Sequence, residues 1–252
     1  MYFSVINIFM FLCIIAIFCV MISYKNKKRS DIFLTPAQLY EYLINDFDNF
    51  YNKLKPIDLL LRNVKNVKEY KENIYSSLDE FTNDEMIKLT IAMEKCDNYL
   101  KTINKPGFDG MKCRDIPWKI GCIVGTKYES GLPHTRGEII LFPRYKLSQD
   151  TNIFTRTLIH ERIHIYQKKY PNDIHKYLKH NGYKRHKPIS RSKTRANPDI
   201  DDWTYTDIDG NVMSAQYKKD AKTIRDVIFS PKNSYEYEHP LEKMAIELAS
   251  GY

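Results

Sequence analysis

Asp150-Thr151-Asn152-Ile153-Phe154-Thr155-Arg156-Thr157-Leu158-Ile159-His160-Glu161-Arg162-Ile163-His164-Ile165-Tyr166-Gln167-Lys168-Lys169-Tyr170-Pro171 is the stretch on which the reading of this chain turns. Asp150-Thr151-Asn152 can cap a helix, and Pro171 stops it after Tyr170. Inside that helix His160 and His164 are four residues apart, so they lie on one face and both imidazoles can reach a single metal ion. Glu161 projects beside the same point. A zinc ion there would lower the pKa of a bound water toward about 7. Glu161 can take the proton from that water and pass it to a leaving amine. Phe154, Leu158, Ile159 and Ile165 give the helix an apolar side to bury.

A catalytic zinc takes three protein ligands and keeps a fourth position open. Near the C-terminus, Tyr237-Glu238-His239-Pro240-Leu241-Glu242-Lys243-Met244-Ala245-Ile246-Glu247-Leu248-Ala249 places proline at the start of a helix and Glu242 in its first turn. Ala245 and Ala249 share a face with Glu242, and small residues there allow close approach to the histidine helix. Glu242 is the expected third ligand, with Glu238, Glu247 and His239 open as alternatives. A glutamate in the first turn also suits the helix N-terminus electrostatically. Tyr235, Tyr237 or His239, just before Glu242, can stabilise an oxyanion. Trp203, Asn197 and Asp199 can shape a cleft, although Asn197-Pro198-Asp199 also reads as a turn.

With His160-Glu161-x-x-His164 and the later frame Glu242-x-x-Ala245, the chain resembles the gluzincin branch of the zincin metallopeptidases over about residues 117–250. The resemblance implies that His160, His164 and Glu242 bind zinc and that Glu161 is the general base. It also implies that the strand Glu138–Phe142 is the sheet edge along which an extended peptide lies. Gln167 and Tyr170 stand where the metzincin pattern requires glycine and histidine. His164 and Glu242 are 78 positions apart, so the intervening segment is expected to be an insertion over the fold.

Composition sets the frame around these motifs. In 252 residues, 43% hydrophobic and 28% charged side chains exclude a disordered chain. Only 9 glycines argue against a turn-dense β architecture. Residues 2–24 carry no charge and are long enough as a helix to cross a hydrocarbon core. With Lys25, Lys27, Lys28 and Arg29 following, they are expected to form an uncleaved anchor in the lipid bilayer. The positive-inside rule then leaves the C-terminal domain on the cytosolic, or virion-internal, side. Outside that span Cys96, Cys113 and Cys122 are odd in number and are expected as free thiols. The formal charge of +8 owes much to Lys176–Arg195, expected as a solvated basic loop. No nucleic-acid-binding signature accompanies it, so a nucleic-acid partner is not expected.

The expected fold is α+β: a mostly helical zincin-like domain with a small antiparallel sheet, preceded by an N-terminal transmembrane helix. The expected divisions are an anchor at 1–24, a basic linker at 25–34, an N-terminal layer of three helices at 35–104, and a metallohydrolase core at 105–252. Thr35-Pro36 starts the first helix, Pro56 breaks it, and Thr82-Asn83-Asp84-Glu85 has capping-box spacing for the third. Trp118–Val124 and Glu138–Phe142 read as strands, and Trp203–Thr206 with Val212–Tyr217 as a hairpin about Asp209-Gly210. The function these features imply is a membrane-anchored zinc peptidase acting on polypeptides. The alternatives are a zinc hydrolase with another substrate, or a non-catalytic membrane or virion structural protein. Oligomeric state is not legible.

Overall fold

Ile120-Gly121-Cys122-Ile123 and Ile139-Ile140-Leu141-Phe142-Pro143 are apolar at every position, as strands buried on both faces are. In the computed structural model, which describes residues 31–190, 193–231 and 237–252, these two runs are parallel neighbours. In chain order the elements are β1 (Phe33–Leu34), α1 (Pro36–Asn45), α2 (Pro56–Leu60), α3 (Val67–Tyr75), β2 (Leu78–Asp79), α4 (Asn83–Leu100), β3 (Asn104–Lys105), β4 (Phe108–Asp109), α5 (Gly110–Arg114), β5 (Ile120–Ile123), β6 (His134–Arg136) and β7 (Ile139–Pro143). They continue with α6 (Thr151–Lys169), α7 (Pro171–His180), β8 (Lys184–Pro188), β9 (Trp203–Thr206), β10 (Val212–Tyr217), β11 (Val227–Ser230) and α8 (Pro240–Ser250).

The larger sheet has five strands. β7 lies between β5, to which it is parallel, and β6, to which it is antiparallel. β1 and β2 pair end to end along the other side of β5, one parallel and one antiparallel. Side chains alternate across this sheet, as a period of two requires. Ile140, Phe142, Ile120 and Cys122 join the core built with α4, α6 and α8. Ile139, Leu141 and Ile123 join a second core with Leu39, Leu43, Tyr70 and Ile74 of α1 and α3. The sheet is therefore sandwiched between two helical layers. α4 packs with α6, on the face opposite α1 and α3, so the three N-terminal helices do not form one layer.

The expected fold is corrected in its sheets. The chain is α+β, but in place of one small antiparallel sheet it has a mixed five-stranded sheet, a separate four-stranded antiparallel sheet in the order β11-β10-β9-β8, and the antiparallel pair β3-β4. β1 and β2 are two residues each, too short to show a period, and their pairing is decided across the fold. β7 is interior, not the sheet edge. The edge is β6, three buried residues with a polar sequence. Lys184–Pro188, expected within a basic loop, is the edge strand β8 with every side chain exposed. It presents no apolar face, so it carries no hydrophobic alternation to read.

Among the described residues no helix is long and apolar enough to cross a membrane. The longest, α4 and α6, carry charges in their interiors such as Lys88, Glu94, Glu161 and Arg162. Residues 2–24, on which the expected anchor rested, lie outside the described residues, as do Lys25, Lys27, Lys28 and Arg29. The expected single-pass topology, with its lipid-bilayer partner and its cytosolic or virion-internal placement, therefore has no membrane-crossing helix behind it among the described residues.

Candidate metal centre

α6 is the hub on which the site is built. Asp150 caps it by accepting a hydrogen bond from the Asn152 N–H at 2.8 Å. Its C-terminal half is buried almost all round, because α4, α5, α7 and α8 all pack on it. α8 starts with Pro240 after His239, whose ring Nδ1 accepts from the Leu241 N–H. Ala245 and Ala249 are buried, so the two helices approach closely. They run antiparallel: Gln167 Nε2 donates to the Leu241 carbonyl at 2.9 Å near the end of α6 and the start of α8.

This packing brings His160, His164 and Glu242 together. Their nearest donor atoms all lie within 4.8 Å of one another. The two Nε2 atoms are 3.0 Å apart, and Glu242 Oε2 is 3.4 Å from that of His160 and 3.5 Å from that of His164. Ligands at zinc-like bond lengths of about 2.0–2.2 Å, arranged tetrahedrally, are about 3.3–3.6 Å apart. His164 is fully buried, while the side chains of His160 and Glu242 are 23% and 13% exposed.

The tautomer of His164 follows from its neighbours. Gln167 spends its amide N–H on Leu241, so its carbonyl oxygen faces His164 Nδ1 at 2.8 Å. A carbonyl only accepts, so Nδ1 carries the proton, and Nε2 of the neutral ring presents a lone pair. That lone pair faces a carboxylate oxygen and another ring nitrogen, an arrangement that a cation satisfies. Without one, burial disfavours the charged ring, but Glu242 and Asp199 outweigh burial and raise the His164 pKa. Burial pushes the Glu242 carboxyl up, and the two histidines more than reverse this, holding it well below the usual range.

Glu161 lies beside this group. It is buried, and its Oε2 has no hydrogen-bond partner. Burial first, then the negative charges of Asp199 and Glu242, push its carboxyl up to about 8 against the opposing pull of His160 and Lys168. A carboxylate with raised proton affinity and an unused oxygen is suited to accepting a proton.

Outer contacts orient these groups. Asn197 Nδ2 donates to Glu242 Oε1 and to Glu238 Oε1, each at 2.7 Å, which leaves Glu242 Oε2 to face the histidines. Glu238 is ion-paired with Arg195 at 2.5 Å. Asp199 accepts from the Thr135 N–H at 3.0 Å and pairs with Lys168 at 3.2 Å. An open cleft of about 750 Å³ runs past the site, lined by His160, Glu161, Asn197, Asp199, Glu238 and Glu242 among others.

Other candidates stand elsewhere. His239 is buried with both ring nitrogens engaged, Nδ1 by Leu241 and Nε2 by Asp201 and the Trp203 carbonyl. Glu247 lies on the outer face of α8, 3.7 Å from Lys243. Glu238 stops one link short, on Asn197 and Arg195. Tyr237 packs under Lys243 and Trp203 under Arg185, and neither lines the cleft. Tyr235 lies outside the described residues. Gln167, Lys168, Thr135 and Arg195 contribute without having been singled out for it. Gln167 and Lys168 had a legible signal, since positions three and four after His164 share its helix face. Thr135 and Arg195 had none.

No protein-family model, curated protein or solved structure matches this chain.

Proposed function

We propose that the chain is a zinc-dependent hydrolase, a metallopeptidase of the gluzincin type, with His160, His164 and Glu242 holding the metal and Glu161 as general base. The observation that carries this reading is the convergence of three acceptor atoms beside a buried carboxylate with an unused oxygen. Charge supports a divalent cation. Glu242, Asp199 and Glu238 bring three carboxylates to one largely buried place against the two cations Lys168 and Arg195, and Glu161 adds a fourth negative charge when it gives up its proton. Buried negative charge without a partner is costly, and a divalent ion offsets it.

Zinc, when bound, supplies Lewis acidity that brings water's pKa near neutrality and polarises a carbonyl oxygen. Glu161 Oε2 takes the proton from the attacking water and returns it to the departing nitrogen. Asn197 holds the Glu242 carboxylate in place, and Gln167 holds His164 in the tautomer whose Nε2 binds metal.

One observation favours a second reading, a zinc hydrolase whose substrate is not an extended peptide. On the edge strand β6, the N–H and C=O of Thr135 point away from β7, but Asp199 and Lys168 already occupy them. Backbone pairing of a substrate along that edge is closed at this residue. Peptide binding in the first reading therefore relies on side chains of the cleft.

The purified chain is expected to hold about one zinc. His160→Ala should release it. Glu161→Gln should keep the metal and lose turnover by about 10²–10⁴-fold. A Glu161→Gln protein as active as the parent on a peptide library would refute the assigned mechanism.

A further inference from the structure

The charges along the cleft are unevenly compensated. Five carboxylates line it, and all are drawn toward the metal centre or into ion pairs. Glu129 sits on Arg62, Asp199 on Lys168 and Glu238 on Arg195, while Glu242 and Glu161 belong to the centre itself. Three cations in the same lining have no such partner: Arg225, which donates instead to the Ser130 carbonyl at 2.8 Å, Arg156 and Lys146. Arg156 is exposed on α6, and Lys146 belongs to the short turn Arg144–Ser148 before it. Among the described residues neither makes an ion pair with a carboxylate.

Their position relative to the centre is set by helix geometry. Arg156 lies one turn before His160, on the same face of α6. Residues at that spacing have Cβ atoms about 5–6 Å apart. Because α6 and α8 run antiparallel, the wall opposite Arg156 is the far half of α8, where Ile246, Ala249 and Ser250 line the cleft and bring no charge. This arm of the cleft therefore leads from the metal centre into a pocket that is apolar on one side and cationic on the other.

We propose that Arg156, assisted by Lys146, binds a carboxylate of the substrate, one or two residues from the bond that is cut. The inference rests on reading the centre as hydrolytic. Consecutive residues of an extended chain are about 3.8 Å apart at Cα, so a carboxylate that close to the reacting carbonyl falls within reach of an arginine one helical turn from His160. A guanidinium matches a carboxylate through two parallel hydrogen bonds, which favours it over a diffuse attraction. The carboxylate can be an acidic side chain or the C-terminus of the chain being cut. Both offer the same two oxygens.

Binding can be measured separately from turnover on the zinc-loaded Glu161→Gln chain, by fluorescence titration with three dansylated tripeptides. The first is dansyl-Gly-Phe-Glu amide, with only a side-chain carboxylate. The second is dansyl-Gly-Phe-Gln acid, with only a terminal one. The third is dansyl-Gly-Phe-Gln amide, with neither. At least one carboxylate probe is expected to bind about tenfold tighter than the third, and which one identifies the source. Arg156→Gln on the same background should erase that difference, Lys146→Gln should reduce it, and added salt should weaken it. Arg156 is exposed and unpaired, so its replacement should leave the melting temperature unchanged. Equal binding of all three probes, no binding of any, or a difference that survives Arg156→Gln would overturn the proposal. The hydrolytic reading is judged by cleavage in the parent chain. Cleavage without carboxylate preference sinks only the carboxylate pocket, and preference without cleavage of any peptide sinks only the peptidase.

Discussion

Asn197 shows how much one side chain can decide. Its single amide nitrogen bridges Glu238 and Glu242, and its own carbonyl accepts from the Asp199 N–H at 2.8 Å. Removing it leaves two carboxylates a few ångströms apart with one shared donor fewer and frees Glu242 to turn. Outer partners of metal ligands commonly contribute about 10–100-fold in metal affinity. Asn197→Ala is therefore expected to weaken zinc binding by about that factor, measured by competition with a chelating dye. Unchanged zinc affinity would mean that Glu242 is held by packing alone. Arg162, inside the five-residue motif, has a different task. Its buried guanidinium donates to the carbonyls of Arg114, Ile116 and Pro117 and stacks over Trp118 at 4.0 Å. It thereby ties α6 to the end of α5 and plays no part in the metal site.

At the scale of elements, the site depends on how closely α6 and α8 pack. Ala245 is fully buried on the face of α8 that meets the core, three positions after Glu242. A larger side chain there has nowhere to go without moving α8. Ala245→Leu is expected to cost about 1–3 kcal/mol by overpacking and to weaken zinc binding at the same time. A helix cap that touches none of the site residues separates the two effects. Thr82 caps α4 in a reciprocal capping box with Glu85. Thr82→Ala should cost about 1 kcal/mol, seen as a lower melting temperature, with zinc affinity unchanged. Equal zinc affinity in both variants would show that the distance between α6 and α8 does not control the centre.

At the scale of the whole molecule, a second buried network holds the segment that delivers Asn197. Arg62 meets Glu129 through two hydrogen bonds of 2.7 Å, and Tyr70 also donates to Glu129. Arg62 donates to the Ala196 carbonyl, and Asp58 accepts from the Ala196 N–H and the Tyr217 hydroxyl. Both backbone groups of the residue before Asn197 are thus fixed from the region around α2. Burial raises the Glu129 carboxyl, but the Arg62 charge and hydrogen bonds outweigh it and hold it below its ordinary value of 4.5. A depressed carboxylate contributes stability that is complete above the unfolded-state pKa and is lost as pH falls through the folded-state value. The melting temperature should therefore drop on acidification below about pH 4.5. Glu129→Gln should flatten that drop and, at pH 7, cost about 3–5 kcal/mol by taking from the buried Arg62 guanidinium its two-bond partner and leaving it only the Asp58 carboxylate at 3.6 Å. An unchanged acid limb in that variant would place the sensitivity in other carboxylates.

The local part of this architecture was legible in the chain itself. A histidine pair spaced by four, an aspartate cap before it, a proline after it, and a glutamate in the first turn of a later proline-started helix are all short-range patterns, and helix geometry turns each into a position on a face. The tertiary structure alone decided the rest: which face of the sheet takes α4, that β6 and not β7 is the edge, that Lys184–Pro188 is a strand, that Thr135 and Arg195 stand beside the centre, and which partners Asn197, Asp199 and Lys168 take there. Those arrangements join residues such as Asn197 and Glu242, 45 positions apart, or Asp58 and Ala196, 138 apart. Contacts of that kind leave no period in the sequence, because packing between elements, and not the repeat of a helix or strand, brings their atoms within bonding distance.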